Sequence, residues 1–303
     1  MSLPLLYILV LNNHDYEDTL DCLSSLYKND YKNIKVILLD NVSSRDMTEV
    51  ITKKYPQVQI IPLTENLGYA GNNNIGIKVA LEQGADWVLI LNDDTVLDQM
   101  CLSSLIQAGE LDHEIGVMGP MVYHFNEPQM IQSAGGMLGK YWKSSHLGQN
   151  ENDHGQFPSI HIVNWISGCA LLVRRTVIEQ VGMLDPDYFL YWEDVDWCVR
   201  ASQSGWKIVH VPQAKIWHKG VQRDYQPAPF VTYYVTRNHL FLLSKNKASL
   251  DSWVHIIFQI IRSLVTWTTK RRWRSKREHR NAMWWGLVDF IQHRLGPMPF
   301  RSL

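Results

Sequence analysis

The first hundred residues alternate short apolar runs with helix-like segments, and no other feature of the sequence restricts the fold as strongly. Four runs predict strands: Leu5–Leu11, Ile34–Asp40, Val58–Pro62 and Trp87–Leu91. Continuous runs rich in β-branched and aliphatic residues, separated by helices, are typical of strands that are covered on both faces. The pattern predicts an α/β fold in which helices flank a Rossmann-like, mostly parallel central sheet.

Polar residues follow three of these strands, where open parallel sheets bind their ligands. They are Asn12 and Asn13 after the first strand, Asp40 and Asn41 at the second, and Asn92, Asp93 and Asp94 after the fourth. An acidic pair at a strand end offers hard oxygen ligands to a divalent cation that binds a diphosphate. Because Asp and Asn are also ordinary turn formers, this feature needs support from elsewhere in the chain.

A second acidic cluster lies in the segment from Trp192 to Arg200, which predicts a helix from Trp192 to Gly205. On that helix Glu193 and Asp196 share a face, and Arg200 is placed to pair with Asp196. Asp194 or Glu193 is then left for proton chemistry. His218 follows an apolar strand predicted at 208–211, and it is either a hydrogen-bonded histidine or a metal ligand.

The second half of the chain is less regular. Residues 120–165 contain Gly, Ser, His and Asn with weak periodicity, which predicts a long and partly flexible loop region. A helix is expected from Arg175 to Val181, and the chain is expected to be helical from Tyr233 onward. The four cysteines form no CxxC motif, so we expect reduced thiols in a cytoplasmic protein.

The 303 residues carry a formal net charge of −1, which hides a basic C-terminal segment. Residues 253–268 form an amphipathic helical pattern, and Lys270–Arg277 is strongly basic. Aromatic residues interleaved with basic ones suit an anionic membrane surface. A solvated helix packed on the rest of the chain and a homodimer contact are the alternatives. No RNP-like pattern favours nucleic acid, and no stretch reaches the roughly 20 apolar residues that span a bilayer.

Six motifs in order carry a resemblance to a known family. They read DNVSS (40–44), ENLGYAGNNNIG (65–76), LNDDT (91–95), SGCALLVRR (167–175), VGMLDPDYFLYWEDVDWCVRASQSGW (181–206) and PQAKIWH (212–218). Over about residues 4–245 the chain resembles the family 2 glycosyltransferases of GT-A fold, and most closely their rhamnosyltransferase-like branch. The resemblance implies an inverting glycosyltransferase that uses a nucleotide-diphosphate sugar and a divalent metal, Mn²⁺ or Mg²⁺.

The resemblance also implies roles for particular residues. Asp194 is the expected catalytic base, with Glu193 beside it. The expected contacts to the nucleotide sugar are Leu11, Asn12, Asn13, Asp40, Asn66, Gly71, Asn74 and Asp93. The expected metal ligands are Asn92, Asp94 and His218, and the expected acceptor contacts are Trp165, Gly168 and Trp192. Asn92 departs from the family's DxD motif, where the first position is usually Asp.

The resemblance divides the chain into a catalytic domain at 1–245 and a helical tail at 246–303. Residues 1–110 are the expected nucleotide-binding half, and 111–245 the acceptor-binding half. A nucleotidyltransferase is disfavoured because no Gly-rich loop follows the first strand, and a dinucleotide oxidoreductase because GxGxxG is absent there. A non-catalytic carbohydrate-binding protein stays open. The best candidate for the donor is dTDP-L-rhamnose, with UDP-hexose or UDP-N-acetylhexosamine as alternatives, and the expected acceptor is a glycan or lipid-linked hydroxyl.

Overall fold

The computed structural model describes residues 3–12, 16–41, 45–220 and 222–299. Its strands are β1 (Leu6–Asn12), β2 (Ile34–Asp40), β3 (Gln59–Pro62), β4 (Trp87–Asn92), β5 (Thr95–Leu97), β6 (Ile115–His124), β7 (Ile131–Ser133), β8 (Gly136–Leu138), β9 (Ser144–His146), β10 (His161–Ile162), β11 (Ala170–Arg174) and β12 (Lys207–His218). Its α-helices are α1 (Tyr16–Lys28), α2 (Arg45–Lys54), α3 (Gly68–Glu82), α4 (Cys101–Leu111), α5 (Arg175–Val181), α6 (Glu193–Gln203), α7 (Pro229–Lys245), α8 (Leu250–Thr269) and α9 (Arg277–Ile291).

One mixed sheet forms the centre of the molecule, in the order β10-β12-β6-β11-β4-β1-β2-β3. Strands β3, β2, β1 and β4 are parallel to one another, and β6 is parallel to β12. Strand β11 runs antiparallel between β4 and β6. The predicted α/β fold with a mostly parallel sheet is confirmed, and the antiparallel β11 begins at the edge where β4 ends.

The burial of β1 shows how the sheet is stabilised. All seven of its residues are buried. Because successive side chains of a strand point to opposite faces, Leu6, Ile8 and Val10 pack in one core layer, and Tyr7, Leu9 and Leu11 pack in the other. Helices cover both faces, which is why the run lacks an apolar/polar alternation.

The long loop region predicted at 120–165 is wrong. Strand β6 extends to His124 with all ten residues buried, and the short strands β7 to β10 follow it. Pairings of two or three residues are too short to leave a periodic pattern in the sequence. Strand β12 is also longer than the predicted 208–211, because a register shift between Val211 and Lys215 absorbs Pro212 and lets the strand continue to His218.

The chain after Pro229 is helical, as predicted. Helix α7 packs against α9, and a short 3₁₀ segment at Arg271–Lys276 separates α8 from α9. Leu240 and Leu243 of α7 share a core cluster with Ile260 of α8. Among the described residues, no helix is long and apolar enough to cross a membrane.

Candidate active site

The turn after β4 brings two of the predicted metal ligands together. Asn92 ends β4, and β5 begins at Thr95, so Asp93 and Asp94 occupy the turn. Strand β5 pairs antiparallel with the end of β12, which places Thr95 opposite His218. As a result, Asp94 Oδ1 lies 3.1 Å from His218 Nε2. Asn92 is half-buried next to them.

The surroundings of His218 and Asp94 favour a positive charge between them. His218 Nδ1 lies 3.0 Å from Gln132 Oε1, a buried contact. With Nδ1 occupied by Gln132, Nε2 is the ring nitrogen that faces Asp94 and is placed to bind a cation. Asp94 Oδ1 is at ion-pairing distance from Nε2 but meets no hydrogen-bond donor in bonding geometry within the described ranges. A carboxylate oxygen and an imidazole nitrogen so arranged suit a divalent cation.

This pair would not hold a cation unaided. No cluster of three or more His, Cys, Asp or Glu side chains placed to bind a metal occurs in the part of the chain that is described. A divalent cation here would therefore take further oxygen ligands from the Asn92 amide, water and the diphosphate of a donor, which is usual for Mg²⁺-type sites. The residues present fit such a cation.

Asp94 is kept ionised by its neighbours. Burial on its own raises the pKa of Asp94, but the contacts with His218 and the backbone N–H of Gly220 outweigh it, so the pKa is lowered. Gly220 has no room for a side chain, because a Cβ there would overlap Asp94 Oδ2. Sequence reasoning missed Gly220, whose only signal was its position two residues after His218.

The predicted base lies at the N-terminus of α6. Asp194 Oδ2 accepts a hydrogen bond from the Gly168 N–H at 2.9 Å, and Oδ1 accepts one from Val195 N–H at 2.8 Å. Burial raises the pKa of Asp194, while these backbone hydrogen bonds lower it in part. The helix N-terminus also favours a negative charge there. Gly168, predicted as an acceptor contact, is thus the residue that orients the base.

Glu193 differs from its neighbour. Its side chain is buried, and Oε2 has no hydrogen-bond partner in the described structure. Burial, followed by the charge of Asp194, raises the pKa of Glu193 well above its ordinary value. Arg200 Nε binds Asp196 Oδ2 at 2.8 Å, as predicted, so Asp196 is neutralised separately. Asp194 is therefore the carboxylate of this segment that is suited to proton transfer.

Tyr69 and Cys169 are both influenced by the charges of Asp94 and Asp194. The hydroxyl of Tyr69 donates to the carbonyl of Gly168. Burial raises the pKa of Tyr69, and the charges of Glu193, Asp194 and Asp94 raise it further. Burial likewise raises the pKa of Cys169 to about 12, with contributions from both Asp94 and Asp194. Both side chains thus lie within electrostatic reach of the metal-ligand candidate and of the base, and sequence reasoning identified neither.

The loop before α3 is held by its own amides. Asn66 Oδ1 accepts from Gly68 N–H at 2.9 Å, and Asn72 Oδ1 accepts from Leu67 N–H at 3.1 Å. A Cβ at Gly71 would meet the side chain of Leu67 at 2.6 Å, so Gly71 permits the tight loop. Both ends of the Asn74 amide bind the backbone of Leu184, at 2.8 and 3.1 Å. Only the remaining N–H or lone pair of Asn74 is left for its predicted contact with the nucleotide.

The other predicted donor contacts lie at the carboxyl ends of β1, β2 and β4. Asn12 and Asp40 are buried at the ends of neighbouring strands, in register with each other. The side chain of Leu11 packs in the core, which leaves its backbone for a ligand. Asp93 points towards α1 and accepts from Thr19 Oγ1 at 3.0 Å. Asn13 lies outside the described residues.

The two predicted acceptor tryptophans have different surroundings. Trp165 is buried edge-on against His146, with ring centroids 4.7 Å apart, and its Nε1–H lacks a partner in the described ranges. Trp192 is half-buried and stacks on His239 at 4.4 Å. Trp192 directly precedes Glu193 in a left-handed conformation, with φ of 76°. Its position beside Asp194 fits an acceptor contact better than the buried position of Trp165.

Comparison with known proteins places this site in a family. The family model described as glycosyl transferase family 2 matches residues 7–182. A curated N-acetylglucosaminyl-diphospho-decaprenol L-rhamnosyltransferase of Mycobacterium tuberculosis is 30% identical over 232 residues, covering 70% of this chain and 76% of that protein. The dTDP-rhamnosyl transferase RfbF of Shigella flexneri is 24% identical over 259 residues, covering 82% and 84%.

The fold comparison agrees. The crystal structure of GalNAc-T7 with UDP, GalNAc and Mn²⁺ matches with a TM-score of 0.65 at 13% identity. The match covers 80% of this chain and 48% of that one. The chain therefore belongs to glycosyl transferase family 2, with its nearest likeness in the rhamnosyltransferase branch, and it has the GT-A fold. It is a nucleotide-sugar-dependent glycosyltransferase.

Proposed function

We propose that this chain is an inverting, metal-dependent glycosyltransferase that moves L-rhamnose from dTDP-L-rhamnose to a hydroxyl of a glycan or lipid-linked acceptor in surface polysaccharide synthesis. One observation supports the proposal most directly: Tyr69 and Cys169 are both within electrostatic reach of Asp94, which pairs with His218, and of Asp194, which is bound by backbone N–H groups. A candidate cation-binding pair close to a candidate base is what a single displacement at a sugar carbon requires.

On the donor side, Asp94 and His218 would hold the cation, with the amide oxygen of Asn92 as a third ligand. A Mn²⁺ or Mg²⁺ ion bound there neutralises charge on the leaving nucleoside diphosphate. Asn12 and Asp40 end adjacent strands at the same sheet edge and are placed to contact the nucleotide. The loop at Asn66–Gly71, at the N-terminus of α3, favours a bound phosphate.

On the acceptor side, Asp194 would take the proton of the attacking hydroxyl. Its Oδ atoms are oriented by Gly168 N–H and Val195 N–H. Burial and the charge of Asp194 raise the pKa of Glu193, which disfavours a second negative charge beside Asp194. Since the attack comes from the face opposite the leaving group, the anomeric configuration inverts without an enzyme nucleophile.

The relatives support the choice of donor and acceptor. Both are named as rhamnosyltransferases. The name of the Shigella flexneri protein includes dTDP, and the name of the Mycobacterium tuberculosis protein includes a diphospho-decaprenol. We therefore expect dTDP-L-rhamnose as donor and a lipid-linked glycan as acceptor, with UDP-hexose or UDP-N-acetylhexosamine as alternative donors. The expected partner of the C-terminal tail is an anionic membrane surface at the inner face of the cell membrane, with homodimerisation as the alternative.

The test is a thermal-shift panel of dTDP, UDP and GDP with and without Mn²⁺, made on the wild type, Asp94→Ala and Asp194→Asn. We expect dTDP with Mn²⁺ to raise the melting temperature of the wild type and of Asp194→Asn. Asp94→Ala should lose the metal-dependent part of that shift. In turnover assays with the matching sugar, Asp194→Asn should lose about 10²–10⁴-fold in kcat, the usual contribution of a general base.

The crossed design separates the two halves of the site. A surface change, Glu114→Gln, serves as the control and should leave both responses unchanged. A melting-temperature shift with UDP or GDP, and not with dTDP, would mean that the donor carries a different nucleotide while the proposed type of reaction stands. If no nucleotide shifts the melting temperature with or without Mn²⁺, the catalytic proposal is wrong and a carbohydrate-binding protein replaces it.

A further inference from the structure

Helix α8 has an apolar face of which only a part packs against the rest of the protein. The side chains that pack inward or are partly covered by α7 and α9 are Trp253, Ile256, Ile257, Ile260 and Leu264. A second row of apolar residues points away from the protein: Leu250, Val254, Phe258, Ile261 and Val265. Ile261, which lies within the amphipathic pattern predicted at 253–268, belongs to this outward row.

The outward row, which we name the α8 stripe, is continuous. Its members are spaced by four, four, three and four residues, which keeps them on one side of an α-helix. Each is between 51% and 79% exposed. A continuous exposed apolar row along most of a helix is unusual for a surface that contacts only water. Such a row marks an interaction site.

The charge along α8 and the segment after it is mostly positive, with Asp251 in the first turn of the helix as the acidic exception. From Ser252 to Arg277 the sequence contains no Asp or Glu. The basic residues of that segment are Arg262, Lys270, Arg271, Arg272, Arg274, Lys276 and Arg277. No ion pair joins any of these seven to a carboxylate within the described ranges, so their charge is available to an outside partner.

A groove continues the stripe towards α9. It has a volume of about 600 Å³ and is lined mainly by Leu264, Val265, Trp284 and Trp285, with Arg280 at its side. Trp284 is half-exposed. The groove combines an apolar floor with a cation, which is the combination that a lipid chain below its anionic headgroup requires.

We propose that the α8 stripe docks the enzyme on an anionic lipid bilayer, with α8 lying in the plane of the interface. The apolar row enters the boundary between headgroups and acyl chains, and the seven basic residues bind the headgroups. This inference deepens the membrane partner of the proposed function, because it assigns the surface and the orientation. Its measurement needs neither donor nor acceptor.

A bilayer fits this surface better than a second copy of the chain does. In a symmetric dimer built on the stripe, the same patch of both subunits meets itself. Seven Lys and Arg residues of each subunit would then lie close to the contact, with Asp251 as the one acidic residue between Leu250 and Arg277 to offset their repulsion. An anionic surface pairs with the same charges instead.

The experiment is flotation of the full-length protein with vesicles of phosphatidylcholine alone and of phosphatidylcholine mixed with phosphatidylglycerol. The stripe variant is Val254→Ser, Phe258→Ser, Ile261→Ser, and the charge variant is Arg271→Glu, Arg272→Glu, Arg274→Glu. The matched control is Met100→Ser, Leu111→Ser, which removes two equally exposed apolar side chains next to and at the end of α4. Size-exclusion chromatography with light scattering gives the mass of each protein.

We expect the wild type and the control to bind the anionic vesicles, and the stripe variant to bind at least about tenfold more weakly. The charge variant should lose binding by a similar factor, and high salt should weaken the binding of the wild type to the anionic vesicles. The stripe variant should keep its thermal shift with nucleotide and Mn²⁺, which separates this inference from the catalytic proposal. Equal binding of wild type and stripe variant would overturn it, as would a change of mass from dimer to monomer without vesicle binding.

Discussion

At the scale of single residues, the adjacent carboxylates Glu193 and Asp194 have different environments although they are neighbours in sequence. Asp194 receives two backbone hydrogen bonds, whereas Glu193 Oε2 receives none within the described structure. Burial raises the pKa of both. Because the protons of such a pair leave in two linked steps, we expect Asp194 to ionise first and Glu193 to ionise only at higher pH.

Glu193 therefore makes the stability of the protein depend on pH. In the unfolded chain a glutamate ionises near its ordinary pKa, while the folded protein keeps the proton of Glu193. The native state then binds more protons, so the free energy of unfolding falls as the pH rises above the ordinary pKa of Glu. Glu193→Gln removes this loss.

We expect Glu193→Gln to raise the melting temperature relative to the wild type at pH 8 by a few degrees, and by less at pH 4.5, where the unfolded glutamate is half protonated. The measurement is calorimetry of both proteins across that range. Glu179→Gln on α5, an exposed glutamate paired with Arg175, is the control and should show no such trend. A melting temperature of Glu193→Gln that equals that of the wild type at every pH would contradict the expected proton on Glu193.

At the scale of structural elements, residues of α7 hold the segment that leads into α6, the helix that begins with Glu193 and the proposed base Asp194. Phe189, Tyr191 and Trp192 all have positive φ, between 63° and 76°. Such conformations cost roughly 1–3 kcal/mol each for non-glycine residues and persist only when the surroundings enforce them. Asn238 Nδ2 lies 2.8–2.9 Å from the carbonyls of Tyr188, Leu190 and Tyr191 and donates to them.

Arg237 supports the same segment from its other side. It is fully buried, its Nη2 donates to the Tyr188 carbonyl at 3.0 Å, and its Nε donates to Asn238 Oδ1 at 2.9 Å. The segment also packs closely against the loop at Asn66–Gly71, because a Cβ at Gly68 would overlap Phe189. The pair Arg237–Asn238 thus positions the start of α6 without contacting the reacting groups.

Asn238→Asp is expected to release this segment, because a carboxylate would face three carbonyls in place of an amide donor. We expect a melting temperature lower by several degrees and a kcat reduced at least about tenfold, since small displacements of catalytic groups are costly. Thermal melts and steady-state kinetics measure the two effects. Asn246→Asp, at the C-terminal end of the same helix, is the matched control and should leave kcat unchanged. A stable Asn238→Asp protein with normal kcat would refute the positioning role.

At the scale of the whole molecule, the C-terminal helices are joined to the catalytic part. Arg237 Nη1 donates to the carbonyl of Gly296 at 2.6 Å, and Tyr233 donates to Asp289 of α9 at 2.8 Å. Gly286 of α9 lies against the backbone of α7, where a Cβ would meet Tyr233 O at 2.7 Å. These contacts join the two sides of the predicted boundary at residue 245, and we propose that both parts unfold together.

Gly286→Val tests this cooperativity, because the added side chain would push α9 off α7. Overpacking costs about 1–3 kcal/mol, so the single melting transition should shift down by several degrees. Glu278→Val, an exposed change on the same helix, controls for the helix propensity of valine. Two separate transitions in calorimetry, with the higher one unchanged by Gly286→Val, would show that the tail is a separate domain.

The order of the motifs along the chain was enough to predict the fold class and the positions of several strands. Buried strands leave uninterrupted apolar runs, so the positions of β1, β2 and β4 could be read directly from the sequence. The i, i+4 pair of Asp196 and Arg200 was predictable because helix geometry is local. The same holds for the polar residues at the strand ends, which mark the site without giving its internal contacts.

Long-range pairing decided the rest. Asp94 meets His218 only because β5 pairs with an extension of β12 beyond Pro212, and Gln132 reaches His218 through the fold of the short strands after β6. No local pattern encodes which of two adjacent carboxylates receives backbone hydrogen bonds, or which half of the apolar face of α8 is covered. The sequence determines which residues are apolar, charged or helical, and only the packing of distant segments determines which of them are covered and which remain free to bind.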